Sequence, residues 1–114
     1  MSTVTIEIPL ANLHNAVIAG VEQGIGYWAK VLEYVPSNAK GVYSVKVLKI
    51  QDHGGEGNPD GMVYNVTERN LVRGMQRMAE KYPRHAARIL DNTSDAETGD
   101  VLIQLSVLGD IVYG

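Results

Sequence analysis

Residues Thr67–Leu90 have the sequence TERNLVRGMQRMAEKYPRHAARIL, which contains the clearest helical pattern in the chain. Its apolar residues recur at the i, i+3, i+4, i+7 spacing of an amphipathic helix. They are Leu71, Val72, Met75, Met78, Ala79 and Tyr82. Thr67 suits the N-cap, where a side-chain oxygen accepts a hydrogen bond from a backbone N–H of the first turn. This stretch therefore predicts a helix with one buried face.

Two residues modify this helix. Glycine inside a helix costs about 1 kcal/mol relative to alanine, so Gly74 indicates close packing. Pro83 disfavours helical backbone at Tyr82 and suits the first turn of a new helix. A second, short helix carrying Ala86, Ile89 and Leu90 is expected after it.

Six basic residues also fall in this stretch: Arg69, Arg73, Arg77, Lys81, Arg84 and Arg88. Arg69, Arg73 and Arg77 recur every four residues and form a stripe, which we treat as a candidate surface for a partner. An ordinary solvated helix face is the commoner explanation. Arg84 and Arg88 follow Pro83, and Arg84 is a candidate for phosphate because helix N-termini attract anions.

Composition narrows the class of protein. The chain has 114 residues, 45% of them hydrophobic, which predicts one globular domain over 1–114. Without cysteine it has no disulfide, zinc–thiolate site or thiol catalysis. The net charge of −3 argues against general nucleic-acid binding by bulk charge. No signal peptide or bilayer-spanning run is visible, so we expect a cytoplasmic protein without membrane association.

The first half of the chain predicts mostly strands. Val4, Ile6 and Ile8 alternate with polar residues, and Pro9 then opens a helix that Gly24 ends. Aromatic and β-branched residues predict a strand over 27–35. Apolar residues on both of its faces indicate a central strand, or a face that a partner covers. A turn at Pro36-Ser37-Asn38 leads to a strand over 43–48, in which Tyr43, Val45 and Val47 share a face.

The second half predicts a loop, a strand and helices. Residues 51–61 form an exposed glycine-rich loop, and 62–66 a short returning strand. Ser94 and Glu97 match a capping box that starts the final helix, and Gly109 ends it. Residues 111–113 form an apolar tail that must pack or pair. The chain is therefore an α+β protein, a small antiparallel sheet packed by three to four helices in the order βαβββααα.

Tyr27 and Trp28 suggest a ligand site. On a strand, neighbouring residues face opposite ways, so only one ring points into the core. The other ring, with Arg84 or Arg88, would form a pocket for an anionic nucleotide, since aromatic faces stack on bases and arginines grip phosphate. His85 is either a helix cap or a polar pocket residue. The alternative is that both rings belong to the core.

Other chemistry is not indicated. His14, His53 and His85 show no metal-ligand spacing, and no cofactor is expected. Residues 54–57 contain glycines but lack the lysine of a P-loop. The acidic residues at 91, 95, 97 and 100 could bind a cation, but helix capping explains most of them, namely Asp91, Asp95 and Glu97. No nucleophile, base and orienting group can be assembled from spacing, so we do not expect an enzyme.

Three fragments together resemble a family of small uncharacterised proteins of tailed bacteriophages. They are Gly24-Ile25-Gly26-Tyr27-Trp28, the Tyr82-Pro83-Arg84-His85 corner, and Asp95-Ala96-Glu97-Thr98-Gly99-Asp100. The resemblance covers nearly the whole chain, although the segment before Trp28 departs from the usual Glu-Gly-Gly and Asn-Tyr-Trp. It implies a phage accessory protein in the cytoplasm of an infected bacterium, and small phage proteins of this kind often inhibit host defence.

Three hypotheses follow. In the first, a non-enzymatic protein sequesters a nucleotide signal of host defence, using Tyr27, Trp28, Arg84, His85 and Arg88. In the second, the arginine stripe or the 51–61 loop binds a host defence protein, as an anti-CRISPR-like inhibitor would. The third is a nucleic-acid-associated factor. The apolar strand faces and tail also predict a homo-oligomer.

Overall fold

The computed structural model describes residues 7–39, 42–53 and 61–114. They form four helices and a three-stranded antiparallel sheet in the order αβββααα, which confirms the α+β class. The helices are α1 (Leu10–Gln23), α2 (Glu68–Lys81), α3 (Pro83–Leu90) and α4 (Ala96–Val107), and the strands β1 (Ala29–Ala39), β2 (Val42–Asp52) and β3 (Val63–Asn65). In these ranges no helix is long and apolar enough to cross a bilayer.

Helix α1 begins after Pro9, as predicted. Leu13 and Val17 are buried on its inner face. It ends at Gly24, whose N–H donates to the carbonyl of Gly20 at 2.8 Å. Most of the N-terminal strand predicted before this helix lies outside the described residues.

Among the described residues, β2 is in the middle of the sheet and β1 is on one edge, so they do not show the central position predicted for β1. The turn predicted at Pro36-Ser37-Asn38 is wrong, because β1 continues to Ala39. An edge strand tolerates proline, since the missing N–H can fall on its unpaired side. Tyr27 and Trp28 are not in the strand; they lie in the turn that precedes it.

Two irregularities in the β1–β2 pairing reverse the predicted faces. Leu32 is an extra residue between two paired positions of β1, and Lys46 is one in β2. A single extra residue moves the following side chains to the opposite face. Val47 is therefore 38% exposed, whereas Leu48 is buried. The prediction that Val45 and Val47 lie on the same face of β2 is therefore wrong. The homo-oligomer, which we inferred from the apolar strand faces and the tail, stays a prediction.

Helices α2 and α3 follow the predicted pattern closely. The Thr67 hydroxyl accepts from the backbone N–H of Asn70 at 3.2 Å, which confirms the N-cap. Leu71, Met75 and Met78 are buried, whereas Val72 and Ala79 are exposed. A methyl group on Gly74 would overlap Ser106 of α4, so the predicted close packing is confirmed.

Helix α4 lies at the centre of the core, with every residue from Thr98 to Leu105 buried. It packs against α1 through Gly20 and Gly99, where a Cβ on Gly99 would stand 2.6 Å from the Cα of Gly20. Its N-cap is Asp95, which accepts from the Thr98 N–H at 2.8 Å, and the capping box predicted at Ser94 is wrong. Aspartate and serine are about equally good N-cap residues, so local preference does not decide between these two positions.

The glycine-rich loop predicted at 51–61 starts later than expected. Gln51 and Asp52 belong to β2, and Asp52 is buried. The backbone N–H of Asp52 donates to the Met62 carbonyl at 3.0 Å, which closes the base of the loop. The centre of the predicted loop, at 54–60, lies outside the described residues.

Candidate functional site

A cleft of about 550 Å³ opens beside helix α3, and we call it the basic cleft. Its lining residues are Arg84, His85, Ala87, Arg88, Thr93 and Glu97. Pro83 starts α3, as predicted, and four residues separate the two arginines, so they project from the same side of the helix. The structure thus brings together the three residues predicted around the proline corner.

His85 is held in this cleft by helix α4. Its Nδ1 lies 2.8 Å from the hydroxyl of Thr98, which is fully buried. The hydroxyl can donate or accept, so the bond suits either neutral tautomer. In the described part of the chain, Nε2 has no hydrogen-bond partner. His85 is therefore a pocket residue with one ring nitrogen anchored, rather than a helix cap.

The basic cleft carries both signs of charge. Arg88 lies 3.6 Å from the Asp95 carboxylate, whereas Arg84 has no ion-pair partner among the described residues. The Thr98 N–H bond holds the pKa of Asp95 below its usual value, and the charge of Arg88 lowers it further. Glu97 adds a negative charge to the lining. Arg84 is consequently the cation most available to a ligand.

The predicted aromatic pair belongs to a different cluster. Trp28 is buried, and its indole Nε1–H donates to Asp100 at 2.8 Å. The Tyr27 hydroxyl donates to the same carboxylate at 2.6 Å, although this residue is 54% exposed. Burial raises the pKa of Tyr27 to about 12, with the negative charge and hydrogen bond of Asp100 as further causes.

This cluster also fixes the C-terminal tail. The ring of Tyr113 stacks on Trp28, with centroids 5.1 Å apart and planes 9° from parallel. Gln104 accepts from the backbone N–H groups of Val112 and Tyr113 at 2.8 and 2.9 Å, while its amide donates to Asp100 at 3.0 Å. Tyr113 is therefore packed, as predicted for the tail, whereas the Ile111 and Val112 side chains are exposed. The cluster around Asp100 is a structural network.

The predicted nucleotide pocket between the aromatic pair and the arginines is not assembled. Thr98 touches the cleft through His85, and Asp100 touches the aromatic pair. Two positions along an α-helix are roughly 200° apart around its axis, so the two sites lie on opposite sides of α4. Tyr27 and Trp28 are therefore not part of the basic cleft.

The arginine stripe lies on the exposed side of α2. Arg77 is partly committed to the fold, because its guanidinium donates to the Leu105 carbonyl at 3.1 Å. Arg69 and Arg73 are exposed and have no polar partner within the described residues. Two of the three predicted residues are thus available to another molecule.

Metal binding finds no support in the described ranges, where no three His, Cys, Asp or Glu side chains are grouped. His14 is buried on α1, with 4% of its surface exposed. Its Nδ1 accepts from the Val45 N–H at 2.9 Å, which leaves Nε2 to donate to Glu68 at 3.3 Å. His14 ties α1 to β2 and to the start of α2.

Sequence reasoning missed the residues of the Asp100 network. Asp100 and Gln104 lie four residues apart on either side of the apolar run 101–103 of α4, and this spacing was the available signal for a buried polar pair. Its partners at 28 and 113 could not be identified from spacing. Comparison of the chain with family models, curated proteins and solved structures finds no match.

Proposed function

We propose that this is a non-enzymatic binding protein that takes an anionic, nucleotide-type ligand in the basic cleft. The observation that carries this proposal is the convergence of Arg84, Arg88 and the anchored His85 on one cleft. A guanidinium group donates two parallel hydrogen bonds to a phosphate, and Arg84 is not engaged elsewhere in the described chain. The Nε2 of His85 supplies a further polar contact.

The mixed charge of the cleft favours a nucleotide over a simple anion. Glu97 would repel a bare phosphate, but its carboxylate can accept hydrogen bonds from the amino group of a base or a sugar hydroxyl. A nucleotide presents an anion at one end and such donors at the other. The cleft of about 550 Å³ lies within the range of small-molecule sites, about 300–1,000 Å³. The aromatic pair has no part in this proposal.

The biological setting comes from the resemblance to small phage proteins. A protein that only sequesters a nucleotide signal must bind that nucleotide tightly and be present in enough copies to bind most of it. It needs no catalytic group. We therefore propose that the protein acts in the cytoplasm of an infected bacterium, where it would inhibit a host defence that depends on a nucleotide signal.

The test is a melting-temperature screen with cyclic and linear nucleotides. A ligand at 100 times its Kd stabilises the protein by about 2.7 kcal/mol. We expect a saturable shift that Arg84→Ala with Arg88→Ala abolishes. The matched control is Arg69→Ala with Arg73→Ala, which removes two exposed arginines outside the cleft. The absence of any shift, or an equal loss in both double variants, would refute ligand binding in the cleft.

A second candidate function is protein–protein inhibition of a host defence complex. It is favoured by Arg69 and Arg73, which are exposed on α2 without a partner in the described chain. Arg69→Glu with Arg73→Glu should abolish capture of a host protein from bacterial lysate. The control is Lys30→Glu with Lys49→Glu, the same charge change on the sheet. Capture that survives the arginine reversal would remove the stripe from this function.

A further inference from the structure

Glu97 contributes an acidic group to the lining of the basic cleft. It lies in the first turn of α4, whereas Arg84, His85 and Arg88 lie on α3. Within the described ranges, its carboxylate makes no hydrogen bond and no ion pair. The negative charge of the cleft is therefore not neutralised by the cations of the same cleft, and it is available to a ligand.

The bond between Thr98 and His85 determines what the imidazole offers to a ligand. The Thr98 hydroxyl is fully buried, and among the described residues its hydrogen-bond partner is Nδ1 of His85. A buried hydroxyl that does not donate is costly, so its proton points to Nδ1. The hydrogen of the neutral ring then belongs on Nε2, which therefore acts as a donor in the cleft.

The polar groups of the cleft thus divide into donors and an acceptor. The two guanidinium groups donate and cannot accept, and the Nε2–H of His85 also donates. An ionised carboxylate accepts only, and its two oxygens can accept two parallel hydrogen bonds. A ligand that satisfies this lining has an anionic end for the donors on α3 and two adjacent donors for Glu97 on α4.

Nucleotide bases differ in whether they present two adjacent donors. The Watson–Crick edge of guanine carries its ring N1–H beside its exocyclic amino group, and both donate. Adenine and cytosine have a ring acceptor beside the amino group, and uracil has one N–H between two carbonyl groups. A carboxylate opposite any of these three bases would face an acceptor, which lowers affinity for them. Guanine is therefore the base that an acceptor-only side chain selects.

Electrostatic repulsion favours contact of Glu97 with the base over contact with the sugar. The ribose hydroxyls lie close to the phosphate, whereas the Watson–Crick edge of the base lies at the far end of a nucleotide. Repulsion between a carboxylate and a phosphate decreases as their separation grows. In the described chain Glu97 forms no ion pair with Arg84 or Arg88, so a phosphate that these arginines bind need not contact it.

We propose that the basic cleft selects a guanine nucleotide and that Glu97 determines the choice of base. Its carboxylate accepts from the N1–H and the amino group of guanine, while Arg84 and the Nε2–H of His85 donate to the phosphate. This inference rests on the proposed function, because it requires a nucleotide in the cleft, and it adds the chemical class of that nucleotide.

Nucleotides that differ only at the base edge test this choice. GMP, IMP and AMP, each as the linear and the cyclic monophosphate, are titrated into the protein by calorimetry. IMP lacks the amino group of guanine and should bind roughly tenfold more weakly than GMP, because one hydrogen bond to a charged group is lost. AMP places an acceptor opposite the carboxylate and should bind more weakly than IMP. Deoxy-GMP, which lacks a ribose hydroxyl, should bind as tightly as GMP.

Glu97→Gln tests the residue. The amide has a similar size but offers one donor and one acceptor, which match the edge of adenine. The ratio of the GMP affinity to the AMP affinity should therefore fall roughly tenfold or more. Loss of the charge weakens repulsion of the phosphate equally for all nucleotides, so this ratio isolates the base. Glu80→Gln, the same change at an exposed position of α2 outside the cleft, should leave the ratio unchanged.

The results separate this inference from the proposed function. If GMP and AMP bind equally and Arg84→Ala with Arg88→Ala abolishes both, the nucleotide-binding function stands and the choice of guanine is overturned. A preference for GMP that Glu97→Gln leaves intact, or that deoxy-GMP loses, would overturn the role of Glu97. If none of these nucleotides and no other member of the screened panel binds, the proposed function and this inference both fail.

Discussion

The indole Nε1–H of Trp28 donates to the carboxylate of Asp100 at 2.8 Å, and these two buried residues are 72 positions apart. Their bond joins the turn before β1 to helix α4. The carboxylate also accepts from the Tyr27 hydroxyl and the Gln104 amide. Three neutral donors therefore solvate the buried carboxylate, which explains how an acidic residue is accommodated in the core.

Replacing Asp100 tests this network. Asp100→Ala removes the acceptor of the Trp28 indole and of the Tyr27 hydroxyl, whereas the Gln104 amide keeps the Tyr113 carbonyl at 3.2 Å. This change should lower the free energy of unfolding by about 1–3 kcal/mol. Asp100→Asn keeps one acceptor oxygen and should fall between the wild type and the alanine variant. Urea unfolding measures both changes. The control Asp91→Ala, at an exposed position, should stay within about 0.5 kcal/mol of the wild type. An equal effect of the two alanine variants would contradict the assigned role.

The contact between α1 and α4 depends on Gly99. A Cβ on this residue would lie against Gly20, so Gly99→Ala should force the helices apart and cost about 1–3 kcal/mol. Gly26 provides a matched control, because nothing lies within 4 Å of a Cβ built there. Gly26→Ala should therefore leave the free energy of unfolding almost unchanged. Thermal or urea unfolding compares the two; similar losses would show that the crossing does not need a glycine.

Asp110 makes stability sensitive to acid. Its carboxylate accepts from the Tyr82 hydroxyl at 2.8 Å, and this bond, with those from the Ile111 N–H and Lys81, lowers its pKa from 3.8 to about 2. The stabilisation is present above pH 3.8 and is lost as pH falls towards 2. Tyr82→Phe should raise the pKa of Asp110 and reduce this acid loss. Carboxyl NMR titration measures the pKa, with Tyr34→Phe as control.

Tyr27 makes stability depend on pH in the opposite direction, because its contribution is lost as pH rises. Its pKa is raised from 10.0 to about 12, so its contribution to stability is present below pH 10 and is lost as pH rises towards 12. Tyrosinate absorbance of the wild type minus that of Tyr27→Phe isolates this group from the other tyrosines. Asp100→Asn should lower the pKa of Tyr27, because it removes the negative charge beside the hydroxyl. A titration near 10 in the wild type would rule out this environment.

The helices could be predicted because their signals are local. Thr67 and Pro83 set the start of α2 and the break before α3, and apolar spacing identified most of the buried face. The sheet faces could not be predicted, because the extra residues at Leu32 and Lys46 depend on pairing with another strand. The cap of α4 was missed by one position, since Ser94 and Asp95 are both good N-cap residues and tertiary packing decides between them.

The residues of the candidate site also differ in whether local sequence could predict their position. Arg84, His85 and Arg88 were grouped correctly, because they lie within five residues of one another on one short helix. The aromatic pair was assigned to the wrong side of the molecule. Helix α4 lies between the aromatic pair and the residues of the basic cleft. Its position follows from tertiary packing, which the spacing of residues 27 and 84 does not reveal.

The bond between Trp28 and Asp100 also bears on how the chain is made. Synthesis proceeds at about 5–20 residues per second, so the 72 positions between them correspond to roughly 4–15 s during which Trp28 and the inner face of α1 await α4. A nascent chain that ends before α4 cannot complete its core. The core can therefore be completed only after α4 has been synthesised, and until then Trp28 lacks the acceptor of its indole N–H.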